Sequence, residues 1–303
     1  MSSQRPPETV ASGIRRRPSW LRVKAMDPAT RKQMASTLAG LHTVCAEANC
    51  PNAGECFGRG TATFLIMGDV CTRSCRFCAV HSGKPRVLDL EEPKRLAKAA
   101  QELSLKHVVV TSVTRDDLED AGARHIAACI SELLKLERAP TVEVLTPDFR
   151  GDGSALEAVL SAQPEVFNHN VETVPRLYPE VRPQASYEWS IAQLGRARRF
   201  ADRGRNHRMF VKSGLMLGLG ETRDEALAVM EDLRRVGVDL ITIGQYLKPL
   251  NVPGKHEVAR YVPPEEFAEL GEIAHKLGFV GVASGPLVRS SYHAEEMLKN
   301  AAR

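Results

Sequence analysis

The sequence predicts an α/β protein, a partial (β/α)6 barrel of the TIM type with an extension at each end of the chain. From about residue 63 onward, short apolar runs rich in β-branched residues alternate with longer stretches of helical period. Six strand–helix units in a row imply a parallel sheet with right-handed crossovers. The length of 303 residues suits one such domain. The predicted strands are not uniformly apolar, which favours an open or partial barrel over a doubly wound sheet.

Each predicted strand is followed by a stretch long enough for a helix. The strands are predicted over 63–69, 107–113, 141–147, 166–172, 209–217 and 240–246. The helices are predicted over 92–104, 117–138, 153–162, 186–203, 223–236 and 264–277. Thr222 and Glu225 have the spacing of a capping box at the start of the fifth helix. The run at 279–284 is either a further strand or a closing segment.

These elements divide the chain into three predicted parts. An N-terminal extension covers 1–60, the barrel covers 61–278, and a C-terminal segment over 279–303 closes the barrel. The composition, 43% hydrophobic and 26% charged, is typical of a globular protein.

The charge pattern limits the classes of partner. A net charge of +4 permits an acidic partner, but aromatic residues make up only 5% of the chain and no basic stretch is interleaved with them. We therefore predict no nucleic-acid partner. No apolar run approaches the ~18 residues of a membrane helix, and the N-terminal stretch lacks the apolar region of a secretory signal. We expect a cytoplasmic protein that does not bind a membrane.

One predicted strand, "VFNHNVE", carries three polar side chains on one face. Asn168, Asn170 and Glu172 alternate with Phe167, His169 and Val171 along the strand. Strands of a parallel sheet are usually buried on both faces, and each unpaired polar group in a dry core costs a few kcal/mol. The pattern favours side chains that line a wet or liganded cavity. An edge strand facing solvent is the alternative.

Three cysteines, Cys71, Cys75 and Cys78, follow the first predicted strand in the stretch "CTRSCRFC". They lie on the first loop at the carboxyl end of the sheet, where barrels carry their active sites. Three thiolates on a short loop select zinc or an iron–sulfur cluster. A four-iron cluster held by three cysteines leaves one iron open to a cofactor. The alternative is a structural zinc with a remote fourth ligand such as His81.

A second group of three cysteines precedes the barrel in "CAEANCPNAGEC", at Cys45, Cys50 and Cys56. The seventh cysteine, Cys129, lies on an apolar helical stripe and is predicted to be a core residue. A second metal site therefore needs a fourth ligand that is not a cysteine.

The pattern C-x₃-C-x-F-C, with Phe77 before the last cysteine, resembles the motif of the radical S-adenosylmethionine superfamily. The resemblance implies that the open iron chelates the amino and carboxylate groups of S-adenosylmethionine. An electron from the cluster then cleaves the sulfonium, and the resulting 5′-deoxyadenosyl radical abstracts hydrogen from unactivated carbon.

The first cysteine group, with "CPNAGECF" intact, closely resembles the auxiliary-cluster motif of the lipoyl synthase family. The resemblance extends over most of the chain, through "VVVTSVTRDDLEDAGA", "FNHNVETV", "SGLMLGLGET", "IGQYLKP" and "GPLVRSSYHA". Glu119 and Ala121 depart from the residues of many relatives. The resemblance implies two 4Fe-4S clusters, the auxiliary one held by the first three cysteines and a serine, Ser291 or its neighbour Ser290. From the residues alone, either serine equally suits a helix N-cap.

The family resemblance also implies a reaction and partners. Two sulfur atoms from the auxiliary cluster are inserted at C6 and C8 of an octanoyl group on a lysine, giving lipoyl-lysine. The implied acceptors are lipoyl domains of 2-oxoacid dehydrogenases and the glycine cleavage H protein. A ferredoxin or flavodoxin is the implied electron donor, and an iron–sulfur carrier is implied for cluster repair.

Polar residues at the ends of the predicted strands are candidates for cofactor binding. We assign this role to Thr111, Ser112, Arg115, Asn168, Asn170, Glu172, Gly218, Glu221, Gln245 and Tyr246. Asp116 and Asp117 suit the start of the following helix, where negative charge is favoured. Arg289, beside the serines, is positioned to neutralise charge on the auxiliary cluster.

Other classes of protein explain fewer of these features. Biotin synthase and the methylthiotransferases also insert sulfur, but the former lacks the tight first cysteine group and the latter add a nucleic-acid-binding domain. A zinc-binding interaction module does not need six strand–helix units. An electron carrier with two clusters is expected to have four thiolates for each cluster.

Overall fold

In a computed structural model the chain is described over residues 17–22, 28, 40–47, 52–204, 209–249, 252–292 and 294–301, apart from the side chains at 45, 46 and 57. The strands in chain order are β1 (His42–Thr43), β2 (Thr61–Ile66), β3 (Val70–Cys71), β4 (His81–Ser82), β5 (His107–Ser112), β6 (Thr141–Leu145), β7 (Val166–Asn168), β8 (Phe210–Leu217), β9 (Leu240–Gln245) and β10 (Gly281–Gly285).

Eight of these strands form one sheet in the order β1-β2-β5-β6-β7-β8-β9-β10. Strand β1 pairs antiparallel with β2, and all other neighbours pair in parallel. Since β1 and β10 lie at opposite edges of this order, the sheet is an open barrel within the described residues. Strands β3 and β4 form a separate two-residue parallel ladder.

The α-helices of the described residues, in chain order, are α1 (Val44–Glu47), α2 (Ala53–Gly58), α3 (Glu92–Glu102), α4 (Ala123–Leu134), α5 (Gly153–Ser161), α6 (Tyr178–Val181), α7 (Tyr187–Arg203), α8 (Arg223–Arg235), α9 (Pro264–Leu277) and α10 (Ala294–Ala301). The capping box of Thr222 and Glu225 is present at the start of α8. In the described parts of the chain no helix is both long and apolar enough to cross a membrane.

The six predicted strands and six predicted helices are all present, most of them within a few residues of their expected bounds. Helices α3, α4, α5, α7, α8 and α9 form the crossovers between successive parallel strands. The run at 279–284 is a strand, because β10 pairs in parallel with β9, with Gly281 opposite Leu240. The sheet therefore continues beyond residue 278, while the division of the chain into three parts stays a prediction.

The helix predicted over 117–138 is shorter at its start, beginning at Ala123. Ala121 and Gly122 have positive φ values of 50° and 85°, which no α-helix accommodates. The carboxylate of Asp120 accepts the N–H groups of Gly122 and Arg124, both at 3.0 Å. The prediction that Asp116 and Asp117 open this helix was wrong, and Asp120 supplies the negative charge at its start.

The strand predicted over 166–172 was too long, since β7 ends at Asn168. Asn168 pairs with Lys212 of β8, and the next bridge joins Glu172 to Leu215. The segment that follows β7 therefore has one residue more than the facing part of β8. Glu172 has a φ of 66°, which ends the regular alternation of faces. Asn168 and Asn170 are nevertheless buried, and Glu172 is half-buried, so the segment is not an edge that faces solvent.

The amino end of the barrel is filled with apolar side chains. Met297 and Leu298 of α10 form a buried cluster with Val166, Phe210 and Leu240, the first residues of β7, β8 and β9. The C-terminal helix thus covers this end of the sheet. The barrel is therefore closed at its amino end, and a ligand has access from the carboxyl end of the strands, where the cysteine loop lies.

Candidate active site

The loop after β2 carries the three clustered cysteines and is folded back on itself. The ladder of β3 and β4 places Cys71 opposite Ser82. The N–H of Gly83 donates to the carbonyl of Cys71 at 2.9 Å, and the hydroxyl of Ser82 donates to the carbonyl of Arg73 at 2.9 Å. These hydrogen bonds hold the two ends of the loop together and give it a fixed conformation.

The thiols of Cys71, Cys75 and Cys78 are free and half-buried. Burial raises the pKa of Cys75, and it raises the pKa of Cys78 to about 11. Both thiols therefore favour the protonated form until a cation compensates the thiolate charge. In the described residues no three His, Cys, Asp or Glu side chains converge closely enough to hold a metal ion.

Arg182 and Glu172 lie beside the cysteine loop in the barrel interior. Arg182 is buried and Glu172 is half-buried. Their charges affect the pKa of Cys75, Arg182 lowering it and Glu172 raising it. Nη1 of Arg182 donates to the carbonyl groups of Asn170 and Val171 at 3.0 and 3.1 Å. Burial raises the pKa of Glu172 above its usual value. Sequence analysis missed Arg182, because no local pattern distinguishes it from a surface arginine.

Several buried polar atoms near this end of the barrel find no hydrogen-bond partner among the described residues. They are Oγ of Ser112, Nη1 of Arg115, Oδ1 of Asn170, Oγ1 of Thr173 and Nε of Arg182. Buried polar atoms are almost always paired in folded proteins. A set of unpaired donors and acceptors indicates a place for a polar ligand, and Ser112, Arg115 and Asn170 are among the residues that the sequence predicted to bind one.

Two other predicted residues use their polar atoms within the sheet. Oγ1 of Thr111 donates to the carbonyl of Leu145 at 3.0 Å. Nδ2 of Asn168 donates to the carboxylate of Glu143 at 2.9 Å, while its Oδ1 finds no partner among the described residues. The role of both residues in binding a cofactor stays a prediction.

The turn after β8 is held by its own residues. The carboxylate of Glu221 accepts the N–H groups of Gly218 and Leu219 at 2.7 and 2.9 Å. Gly218 has a φ of 97°, and a Cβ there would lie 2.3 Å from Nε2 of Gln245. Glycine is required here by its positive φ and by the close approach of Gln245. The role of Gly218 in binding a cofactor stays a prediction.

Gln245 and Tyr246, at the end of β9, hold the segment that follows them. Nε2 of Gln245 donates to the carbonyl of Arg260 at 3.1 Å, and its Oε1 accepts the N–H of Val262 at 2.8 Å. The hydroxyl of Tyr246 donates to the carbonyl of His256 at 2.8 Å. Contacts of these side chains with a cofactor stay a prediction.

The described part of the first cysteine group meets the C-terminal segment. Nδ2 of Asn52 donates to the carbonyl of Leu287 at 2.7 Å, and the hydroxyl of Tyr292 donates to Glu55 at 3.2 Å. Cys56 is half-buried on α2, between Asn52 and the end of this helix. The protein thus brings a predicted cluster ligand close to the segment that carries the two candidate serines.

The remaining residues of the predicted second site are less completely described. Cys50 and the side chain of Cys45 lie outside the described residues. Ser290 and Ser291 lie in the turn between β10 and α10, and α10 begins at Ala294, so neither serine directly precedes the helix. Cys129 is buried in the core as predicted, and burial raises its pKa.

Comparison with known proteins identifies the family. Residues 65–233 match the family model described as Radical SAM superfamily. Over 92% of this chain, the sequence is 55% identical to a lipoyl synthase of Caldanaerobacter subterraneus subsp. tengcongensis, of which it covers 96%. The chain belongs to the lipoyl synthase family. Lipoyl synthases of Rubrobacter xylanophilus and Pyrobaculum arsenaticum are 50% and 52% identical to it over 95% and 94% of this chain, which covers 88% and 95% of their lengths.

Solved structures support the fold at much lower identity. HydG, a maturase of the [FeFe]-hydrogenase, has a TM-score of 0.59 at 18% identity, covering 80% of this chain and 54% of its own. Methylornithine synthase has a TM-score of 0.53 at 15% identity, covering 79% of this chain and 68% of its own. Both share the architecture of this lipoyl synthase family member.

Membership of this family makes the chain a radical S-adenosylmethionine enzyme that inserts sulfur and uses a 4Fe-4S cluster. The residues at the carboxyl end of the barrel suit these groups. Three thiols on one short loop are the donors that an iron–sulfur cluster prefers. The unpaired atoms of Ser112, Arg115, Asn170 and Arg182 provide both donors and acceptors for a polar, charged cofactor.

Proposed function

We propose that the chain inserts two sulfur atoms, at C6 and C8, into an octanoyl group carried on a lysine of an acceptor protein, giving lipoyl-lysine. The identity of 50–55% to curated lipoyl synthases over more than nine-tenths of the chain carries this proposal. The cysteine loop at the carboxyl end of the barrel and the unpaired polar atoms of the interior support it.

In this proposal Cys71, Cys75 and Cys78 hold the 4Fe-4S cluster. When bound, this cluster and S-adenosylmethionine supply the 5′-deoxyadenosyl radical that removes hydrogen from unactivated carbon. Nη1 of Arg115 and Nε of Arg182 are the unpaired donors suited to the carboxylate of S-adenosylmethionine. The amino end of the barrel is filled by α10, so water does not reach the reacting atoms from that side.

Oxygen acceptors suited to the hydroxyl groups of the cofactor come from the polar segment after β7. Oδ1 of Asn170 is unpaired among the described residues, while its Nδ2 donates to Glu172 at 3.2 Å. That hydrogen bond fixes the orientation of the Asn170 amide, so that its oxygen is directed away from Glu172. Asn170 therefore binds and orients the cofactor rather than reacting with it.

We further propose a second 4Fe-4S cluster, held by Cys45, Cys50, Cys56 and Ser291, which donates the sulfur. Contacts from Asn52 to Leu287 and from Tyr292 to Glu55 support it, because they join the helix of Cys56 to the turn that carries Ser291. Iron–sulfur clusters prefer thiolate ligands, so a serine-ligated iron is the labile corner. A labile corner suits a cluster that must lose sulfide during turnover.

The partners follow from this reaction. The substrate is an octanoylated carrier protein, of which lipoyl domains of 2-oxoacid dehydrogenases and the glycine cleavage H protein are the proposed examples. A ferredoxin or flavodoxin supplies electrons, and an iron–sulfur carrier rebuilds the second cluster. We propose that the enzyme works in the cytoplasm, where low-potential reductants of this kind are present.

An anaerobic assay tests this function. Iron-reconstituted protein is incubated with S-adenosylmethionine, a strong reductant and an octanoyl-lysyl peptide, and the peptide mass is measured. A gain of two sulfur atoms is expected, together with a brown colour and about eight iron atoms per chain, as two 4Fe-4S clusters require. Zinc in place of iron, or cofactor cleavage without any sulfur gain by the peptide, would contradict the proposal.

A further inference from the structure

Arg73 lies between Cys71 and Cys75 in the sequence, yet its side chain is only 5% exposed. Its loop neighbours Ser74 and Arg76 are both exposed. Removing a charged guanidinium from water costs several kcal/mol unless it is paired. The burial of Arg73 within a short surface loop therefore requires compensating partners.

Two carboxylates from different parts of the barrel bind this guanidinium. The carboxylate of Asp116 accepts hydrogen bonds from Nε and Nη2 of Arg73 at 2.7 and 3.0 Å. The carboxylate of Asp148 accepts one from Nη1 at 2.8 Å and lies 2.7 Å from Nη2. Asp116 follows β5 and Asp148 follows β6. The bidentate contacts to two carboxylates fix both the position and the plane of the guanidinium.

A second, uncharged set of contacts joins the cysteine loop to the segment after β5. The N–H of Thr72 donates to the carbonyl of Thr114 at 3.0 Å, and the hydroxyl of Thr72 accepts the N–H of Asp116 at 3.1 Å. The sulfur of Cys71 accepts N–H groups from Arg73 at 3.4 Å and from Thr114 at 3.3 Å. Hydrogen bonds to cysteine sulfur are one of the factors that set the reduction potential of an iron–sulfur cluster.

We propose that Arg73 is a positioning residue. Its double ion pair fastens the cysteine loop to the ends of β5 and β6, and the charge balance among Arg73, Asp116 and Asp148 tunes the reduction potential of the cluster held by that loop. The second part rests on the proposed function, because it requires the cluster. The first part concerns the protein alone.

An effect of charge on the reduction potential can be distinguished from an effect of a loosened loop. One arginine and two aspartates carry a net charge of −1. Arg73→Gln makes this −2 and disfavours an added electron, whereas Asp148→Asn makes it zero and favours one. The two variants should therefore shift the midpoint potential of the cluster in opposite directions. Each shift is expected to change the ratio of reduced to oxidised cluster about tenfold at fixed potential, which is ~59 mV for one electron.

The fastening role is tested in the iron-free full chain. Alkylation of Cys71, Cys75 and Cys78 by a thiol reagent is followed by peptide mass analysis. In Arg73→Gln we expect these thiols to react several-fold faster, while the buried Cys129 stays protected. Arg76→Gln is the matched control, because it removes a charge from an exposed position of the same loop, and it should react like the wild type. Lys at position 73 keeps the charge but loses the bidentate contacts, so Arg73→Lys should speed alkylation without the potential shift of Arg73→Gln.

The tuning role is tested in reconstituted protein by redox titration. The reduced cluster is followed by its electron paramagnetic resonance signal. The signal that changes when S-adenosylmethionine is added belongs to this cluster. Opposite shifts in Arg73→Gln and Asp148→Asn are expected. Shifts of the same sign, or alkylation rates in Arg73→Gln equal to those of Arg76→Gln, would overturn the inference. Failure of the wild type to take up a cluster would instead count against the proposed function, and the alkylation result would still decide the fastening role.

Discussion

Glu143 of β6 and Lys212 of β8 form an ion pair in the interior of the barrel, with Nζ 2.9 Å from Oε1 and 3.0 Å from Oε2. Both side chains are essentially inaccessible to solvent. Nδ2 of Asn168 donates to the same carboxylate, and His107 lies 3.7 Å from it. This charged layer lies next to the apolar cluster formed with α10, and it links four consecutive strands of the sheet, β5, β6, β7 and β8.

Removal of one partner from this pair should destabilise the protein strongly. Lys212→Met leaves the buried carboxylate of Glu143 without its main counter-charge, and such losses typically cost about 3–5 kcal/mol. The free energy of unfolding in urea measures this. Glu143→Gln combined with Lys212→Met removes both charges and should recover a large part of the loss. A Lys212→Met variant as stable as the wild type would show that the pair is not an essential part of the fold.

His169 should make stability depend on pH. Burial and then the charge of Arg182 lower its pKa to about 4, whereas an unfolded histidine titrates near 6.5. Above pH ~6.5 both states are neutral at this site. As the pH falls toward 4 only the unfolded state gains the proton, so the free energy of unfolding should fall by up to about 3 kcal/mol.

His169→Gln is the variant that isolates this effect. It should be less stable at neutral pH, because Nδ1 of His169 donates to the carbonyl of Thr146 at 2.9 Å. Its stability should nevertheless change less between pH 6.5 and 4 than that of the wild type. Parallel pH profiles for the two proteins would exclude His169 as the source of the acid sensitivity.

The two cysteine groups should have separable roles. We expect Cys75→Ala to abolish both S-adenosylmethionine cleavage and sulfur gain, because it removes a ligand of the cluster that binds the cofactor. Cys50→Ala should keep cofactor cleavage and abolish sulfur gain by the octanoyl peptide. Chromatography of 5′-deoxyadenosine and mass analysis of the peptide measure the two outcomes. Cys129→Ala is the control, because it removes a core thiol that belongs to neither cysteine group. Sulfur gain by the peptide with Cys50→Ala would refute this division of roles.

Gly244→Ala should disturb the second site alone. A Cβ at residue 244 would lie 2.2 Å from the carbonyl oxygen of Val288, so the backbone leading to Ser291 must move. We expect a reduction of sulfur insertion by an order of magnitude or more, with cofactor cleavage largely retained. Gly58→Ala, where a Cβ would have no neighbour within 4 Å, is the matched control. Equal loss of cleavage and insertion in Gly244→Ala would indicate general damage instead.

Periodicity and spacing predicted the main elements because these features are local. The alternation of apolar runs and helical stretches identified all six crossover units, and the position of Cys71 after the first strand placed its loop at the carboxyl end of the sheet. Local patterns did not predict the end of β7, since a positive φ at Glu172 follows from the pairing with β8 rather than from its own neighbours.

The candidate site was predicted in part for a related reason. Ser112, Arg115 and Asn170 were found from their positions at strand ends, and each has an unpaired polar atom among the described residues. Glu221, Gln245 and Tyr246 satisfied the same rule, but their polar groups bind neighbouring backbone. A position at the end of a strand can be read from the sequence. Whether the polar group there is bound by neighbouring backbone or left unpaired depends on the tertiary structure.

The sequence by itself determined the class of chemistry, because cysteine spacing along one loop is a property of the chain alone. Only the tertiary structure decided which distant residues meet: Arg73 with Asp148, 75 residues away, and Asn52 with Leu287, 235 residues away. Such contacts depend on the register and curvature of the whole sheet, which arise from many packing interactions at once. No window of sequence contains that information, so the supports of both cysteine groups became visible only in the folded chain.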